Sequence, residues 1–189
     1  MGLPQDAQII CTELKKRTTI LMVSTIEPRK GYLQALDAFE LLWHQKIDIN
    51  LAIVGKAGWN MDAFIKRLNQ HQERGKHLFW LSGISDEYLK KVYDVATAVL
   101  MASAGEGFGL AVVEGALHGK PLILRDLPVF REIAGDHAFY FNGEKPEDLA
   151  TAIEKWLKLY KEGKAPSSEG VETLTWKEST QMLLKQLPL

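Results

Sequence analysis

The strongest constraint on how this chain folds is an alternation. Short, wholly apolar runs recur along it. Each is followed by a turn and then by a longer segment with apolar residues at helical spacing. TTILMVS (Thr18 to Ser24) leads through TIEPRKG to YLQALDAFELLWHQ, where Leu33, Leu36, Phe39, Leu42 and Trp43 fall on one helical stripe. INLAIVG leads to the segment from Met61 to Gln70, and HLFWLSG to SDEYLKKVYDVA. In the latter, Leu89, Val92, Tyr93 and Ala96 form a stripe, while Ser85, Asp86 and Glu87 suit the first turn of a helix. TAVLMAS precedes GLAVVEGALHG, and PLILRD precedes PVFREIAG. AFYF precedes PEDLATAIEKWLKLYKEG, which opens on Pro146 and stops at Gly163. Strands that are apolar on both faces, with helices between them, build a parallel sheet covered on both sides. The expected fold class is α/β: a doubly wound, Rossmann-like sheet of about six strands flanked by helices.

Residues 1–17 read as a lead-in, 18–163 as the sheet domain, and 164–189 as a polar linker (KAPSSEGVET) followed by a terminal helix. Thr175 and Glu178 make a capping box for that helix. With 189 residues, 46% of them apolar, the chain can bury one sizeable core. A formal net charge of -1, with acids and bases interspersed, speaks against a general nucleic-acid binder. Cys11 is the single cysteine, so no disulfide framework forms within the chain and a reduced, cytoplasmic compartment is expected. No run approaches the ~20 apolar residues that span a bilayer, and MGLPQDAQII lacks a signal-peptide pattern. Peripheral membrane contact stays open.

Ligands of open α/β sheets bind beyond the carboxyl ends of the strands, and three of the loops there carry unusual material. In EPRKG, Arg29 and Lys30 are adjacent cations suited to a diphosphate, one as a fork and one as a compact charge. The plainer alternative is a solvated turn fixed by Pro28. In AGEGFGLAVVEG, Gly105, Gly107 and Gly109 let the backbone approach a ligand, and a helix opening at Gly109 or Leu110 offers free N–H groups to an anion. Neither G-x-G-x-x-G nor a Walker A pattern can be read, since Gly55-Lys56 is followed by Ala57. Glu106 falls in the turn. Glu114 falls on the helix among apolar residues, which is costly unless it is hydrogen-bonded or keeps to a solvated stripe. A carboxylate can accept both hydroxyls of a vicinal diol, as in a ribose. In LSGISDE, Gly83 and Ile84 can offer backbone groups to a planar base, or simply form a turn ending in a Ser85 cap. The five histidines show no metal-ligand spacing and read mostly as surface or helix-end residues. Trp43, Trp59, Trp80, Trp156 and Trp176 read as core or rim packing.

EGFGLAVVE resembles the E-x7-E motif of retaining glycosyltransferases of the GT-B fold, in the large family four of that classification. EPRKG and LSGISDEYLKKVYDVA before it, and GKPLILRDLPVFREIAGD after it, match in order, so the resemblance runs from about Thr18 to Leu187. It implies that the chain is the C-terminal, donor-binding half of a two-domain enzyme. By that resemblance Glu106 meets hydroxyls of the donor sugar and Glu114 the nucleotide ribose. The N–H groups of Phe108, Gly109 and Leu110, beside Gly107, hold the diphosphate, which Lys30 and Arg29 neutralise. Ile84, next to Gly83, meets the base, and Gly55 lines the same side. Many members carry Gly-Arg before the first of these loops, where this chain reads Val23-Ser24-Thr25. That version, STIEPRKG, resembles a mannosyltransferase subgroup, which implies GDP-mannose as donor and a saccharide or lipid-linked acceptor. No metal and no cofactor beyond the nucleotide sugar are implied. The chain is then expected to be one domain of a longer protein, inactive without its N-terminal acceptor domain. Three other readings stay in view: a glycosyltransferase using a UDP-sugar donor, a glycoside hydrolase using Glu106 and Glu114 as acid and base, and a non-catalytic nucleotide-binding or assembly module.

Overall fold

The computed structural model describes residues 3–4, 6–173 and 176–186. Its strands are β1 (Thr18–Val23), β2 (Ile49–Val54), β3 (Leu78–Leu81), β4 (Ala98–Met101), β5 (Leu122–Arg125) and β6 (Phe139–Phe141). They form one parallel sheet in the order β3-β2-β1-β4-β5-β6. The order reverses between β1 and β4, which is where a doubly wound sheet opens a crevice at its carboxyl edge. The helices are α1 (Ala7–Lys15), α2 (Tyr32–His44), α3 (Asp62–Gln70), α4 (Asp86–Val95), α5 (Leu110–Leu117), α6 (Pro128–Ala134), α7 (Pro146–Lys161) and α8 (Trp176–Gln186).

Side chains alternate across each strand, and the sheet consequently has two cores. On one face Ile20, Met22, Leu51 and Ile53 pack with Phe39 of α2, Phe64 of α3 and Trp156 of α7. On the other, Leu21, Ala52 and Val99 pack with Leu14 of α1, Val92 of α4, Val112 of α5 and Phe130 of α6. Because both faces are covered, the strands read as largely apolar runs, with the buried Thr19 and Asn50 paired by a hydrogen bond from Asn50 Nδ2 to Thr19 Oγ1. Ser85 caps α4 by accepting from the Tyr88 N–H. Gly163, in the left-handed region, closes α7.

Three local expectations change. Leu33 lies off the buried stripe of α2 and is 48% exposed, because Tyr32 and Ala35 take the inward positions beside it. The stretch expected as a lead-in contains α1, which buries Ala7, Cys11 and Leu14 against the sheet. The linker is anchored by a short helical turn, Ser168–Gly170, with Ser168 and Val171 buried. Of the capping box expected for the last helix, Thr175 lies outside the described residues. On α8 itself Met182, Leu183 and Leu184 are exposed. Among the described residues no helix is long and apolar enough to cross a membrane.

Candidate functional site

The loop after β1 turns sharply. Pro28–Lys30 form one 3-10 turn, and Gly31, at φ +75, connects it to α2. A Cβ at Gly31 would lie 2.2 Å from the Ala102 carbonyl oxygen, so only glycine lets this loop press against the end of β4. The two loops are then stitched together, the Ala104 N–H donating to the Arg29 carbonyl at 2.8 Å. Arg29 and Lys30 are thereby held over the crevice between β1 and β4.

Glu106, from the β4 loop, meets both cations there. Lys30 Nζ lies 2.6 Å from its Oε1 and Arg29 Nη1 3.2 Å from its Oε2, while the Ser103 hydroxyl donates to Oε1 at 2.7 Å. The Glu106 side chain is 5% exposed. Burial alone would push its pKa up, but the hydrogen bonds from Lys30 and Ser103 and the Lys30 charge outweigh it and hold the carboxyl below its ordinary value. Arg29 also donates to the Gly105 carbonyl and pairs through Nε with Glu27 at 3.2 Å.

The glycines of the same loop fall into two kinds. Gly109 caps α5 at φ 93, and a Cβ there would meet Phe130 at 2.7 Å. Gly105 and Gly107 have nothing within 4 Å of a Cβ position, so the protein itself does not require glycine there. The N–H groups of Phe108, Gly109 and Leu110 donate to no protein acceptor among the described residues. They lie at the positive end of α5, with Gly109 itself buried between the exposed Phe108 and Leu110. Phe108 and Leu110 are themselves 54% and 60% exposed.

Glu114 does not join this cluster. It is half-buried on α5 and accepts a hydrogen bond from the Tyr93 hydroxyl at 2.9 Å, which answers its apolar surroundings. Burial and then the Glu114 charge drive the Tyr93 phenol far above its ordinary range, so it stays a donor. Tyr93 in turn stacks on His118, with ring centroids 4.6 Å apart. Ser24 is engaged as well, its hydroxyl 2.8 Å from that of Tyr32, whereas Thr25 is exposed. Gly55 sits so close under Ser24 that a Cβ would lie 1.9 Å from the Ser24 carbonyl oxygen. Its own carbonyl accepts from Trp80 Nε1. Gly83, at φ +67, and Ile84 follow β3, about 10 Å across the sheet from β1. They border a groove of ≈ 670 Å³ that runs along the free edge of that strand.

Several residues at this edge escape sequence reasoning. Glu27 opens the EPRKG stretch but carries no role there from the sequence, and Ser103 has no motif of its own; they matter through Arg29 and Glu106. Arg125 looks like a third crevice cation at the end of β5, yet it is buried and reaches the Ala102 and Gly143 carbonyls and Gln34 Oε1. Trp59 departs from the packing expectation, standing 63% exposed in the loop after β2. The histidines are not all superficial either: His71 is largely buried and bound to Glu40, which also holds Arg67.

Residues 8–172 match the family described as "Glycosyl transferases group 1". Over 188 residues the chain is 49% identical to the Escherichia coli "Serotype-specific mannosyltransferase WbdA", covering 100% of this chain and 23% of that protein. It is 33% identical over 145 residues to the Salmonella typhimurium "O-antigen chain mannosyltransferase RfbU", covering 77% and 40%. Among solved structures, Anabaena Alr3699/HepE in complex with UDP and glucose superposes with a TM-score of 0.75 at 20% identity, over 98% of this chain and 53% of that one. The C-terminal domain of LpcC from Francisella tularensis does so with a TM-score of 0.69 at 17% identity, over 97% and 93%. At these identities the two structures speak for the fold alone. The chain spans about a quarter of the length of the WbdA relatives, 23% in the first of them.

Proposed function

The chain belongs to the group 1 glycosyl transferases, and we propose that it is the donor-binding domain of a retaining hexosyltransferase that moves mannose from GDP-mannose to a saccharide or lipid-linked acceptor. One observation carries the reading. Two cations from the β1 loop and a carboxylate from the β4 loop converge at the switch point of the sheet, beside the uncapped start of α5. Transfer breaks the bond between the sugar's anomeric carbon and the diphosphate oxygen, and negative charge builds on the leaving group. Lys30, Arg29 and the N–H groups of Phe108, Gly109 and Leu110 are fixed donors for that charge, which is how a rigid site lowers such a barrier. No metal is assigned a part in this proposal. Gly105 and Gly107 leave the backbone open to the phosphates. In the proposal Glu106 accepts from sugar hydroxyls and Glu114, through the oxygen that Tyr93 leaves free, from the ribose. Gly55, Gly83 and Ile84 border the base, with Ser24 and Thr25 forming the floor of the β1 loop.

The preference for GDP-mannose rests on the mannosyltransferase names of the relatives that share most sequence with this chain. Reaction is proposed to need a second, N-terminal domain of the longer protein for the acceptor, acting at the cytoplasmic face with peripheral membrane contact. The hydrolase alternative fits less well. A general acid must hold its proton near neutrality, whereas Lys30 and Ser103 keep Glu106 ionised. The test is a thermal-shift panel of GDP, UDP and ADP with their hexose esters. A ligand at 100-fold its dissociation constant stabilises by about 2.7 kcal/mol, so binding is easily read. The largest shift is expected with GDP-mannose. A UDP preference would overturn the donor assignment, and no shift with any nucleotide at millimolar concentration would sink the whole reading.

A further inference from the structure

The cations assigned to the diphosphate are not free charges. Arg29 and Lys30 are matched by two carboxylates, Glu27 and Glu106, all within 3.2 Å contacts, so the formal charge of the cluster is zero. Glu106 holds the central place. Its two oxygens take one donor from each cation and a third from Ser103, with almost no exposure to water. A carboxylate and a phosphoryl group present the same chemistry to an ammonium or guanidinium: anionic oxygens accepting short, charge-assisted hydrogen bonds. Glu106 therefore occupies, as a built-in anion, the coordination that a phosphoryl oxygen needs.

We propose that Glu106 is an internal competitor for the diphosphate site, released from Lys30 and Arg29 only when a donor sugar supplies hydroxyls for it to accept. This rests on the reading of the site as a nucleotide-sugar site. A nucleoside diphosphate alone must displace a partly desolvated carboxylate and leave it facing the incoming phosphates. A nucleotide sugar displaces it too, but gives it new partners on the sugar. The free energy that Glu106 loses at the cations is then recovered at the sugar, and the site discriminates the intact donor from its own product. Glu27 helps to set the exchange, because its bond to Arg29 Nε aims Nη1 at Glu106 and at the Gly105 carbonyl. Ser103 gives the carboxylate a fixed hydroxyl on Oε1, so that its movement away from Lys30 is limited.

The test is calorimetric titration of the 189-residue chain and of Glu106→Gln with GDP and with GDP-mannose, repeated with UDP and UDP-glucose. Glutamine keeps the shape and removes the charge, and a far-UV spectrum and thermal melt check that the variant folds. The wild-type chain is expected to bind the nucleotide sugar more tightly than the nucleoside diphosphate. In Glu106→Gln the nucleoside diphosphate is expected to bind at least fivefold more tightly than in wild type, and the advantage of the sugar ester to vanish. With the cluster now net positive, that binding should also weaken more steeply with added salt. If the variant binds the nucleoside diphosphate equally or less well, or keeps the sugar's advantage, the competitor role is wrong while the site assignment stands. If neither protein binds any nucleoside diphosphate, it is the site assignment that fails.

Discussion

At the scale of single residues, the glycines of the carboxyl edge separate those the fold needs from those a ligand needs. Gly31 and Gly55 press against backbone, where a Cβ would lie 2.2 Å from the Ala102 oxygen and 1.9 Å from the Ser24 oxygen. Gly31 also has φ +75, which an alanine adopts only under strain. Gly31→Ala is expected to lower the unfolding free energy by about 3 kcal/mol or more, read from urea denaturation. Gly105 and Gly107 face open space and have no positive φ. Alanine there should leave stability unchanged or raise it by up to ~1 kcal/mol, through the unfolded state. The same methyl groups intrude where phosphates are proposed to lie, so nucleotide-sugar affinity should fall about tenfold, or ~1.4 kcal/mol. If both pairs lose stability alike, or if Gly107→Ala binds normally, the division is wrong. None of this separation was legible in the sequence, where all four glycines stand next to strands or loops of similar composition.

At the scale of elements, the crevice depends on how loops are tied rather than on the strands alone. Arg125, the last residue of β5, binds the Ala102 carbonyl at the end of β4, the Gly143 carbonyl beyond β6, and Gln34 of α2. Phe141 lies under its guanidinium, 5.1 Å from the ring centroid. One buried cation thus fixes four elements around the point where Gly31 meets Ala102. Arg125→Met would leave those buried acceptors short of donors and should cost about 3 kcal/mol. Lysine, with a point charge and no fork, should recover only part of that. A change below ~0.5 kcal/mol in denaturant unfolding would show that water replaces the guanidinium at no cost. The strands and most helices were readable because burial on both faces, caps and terminal glycines leave local marks. The ties were not. Arg29 and Glu106 are 77 positions apart, and Tyr93 and Glu114 are 21 apart, so neither pair leaves a local pattern. α1 does carry helical spacing, with Ala7, Ile10, Cys11 and Leu14 turned inward at i, i+3, i+4 and i+7, but it precedes the first strand and so stands outside the strand–helix alternation by which the other helices are read.

For the whole molecule, the question is what this domain does by itself. The proposed donor groups all lie on one edge of a sheet whose two faces are already covered. Trp59, in the loop after β2, and Phe108 and Leu110, at the start of α5, stand exposed rather than among the core. A transfer reaction needs the acceptor hydroxyl held close to the anomeric carbon, with water kept away from a reactive centre. Loops on one open edge meet the first requirement poorly and the second hardly at all. The chain alone should therefore bind the nucleotide sugar, as judged by calorimetry, and yet transfer no sugar to a mannosyl acceptor over hours, as judged by mass spectrometry of the products. Slow hydrolysis of the donor is the side reaction to expect from an open site, and it should fall in Lys30→Ala, which loses the charge that stabilises the leaving diphosphate. On the proposed reading, the same residues within the longer protein should transfer and should hydrolyse less, since the proposed acceptor domain would close over the edge and exclude water. Sugar transfer by the isolated chain at a rate matching the longer protein would mean that this edge already forms a closed site, and that Trp59, Phe108 and Leu110 serve the acceptor directly.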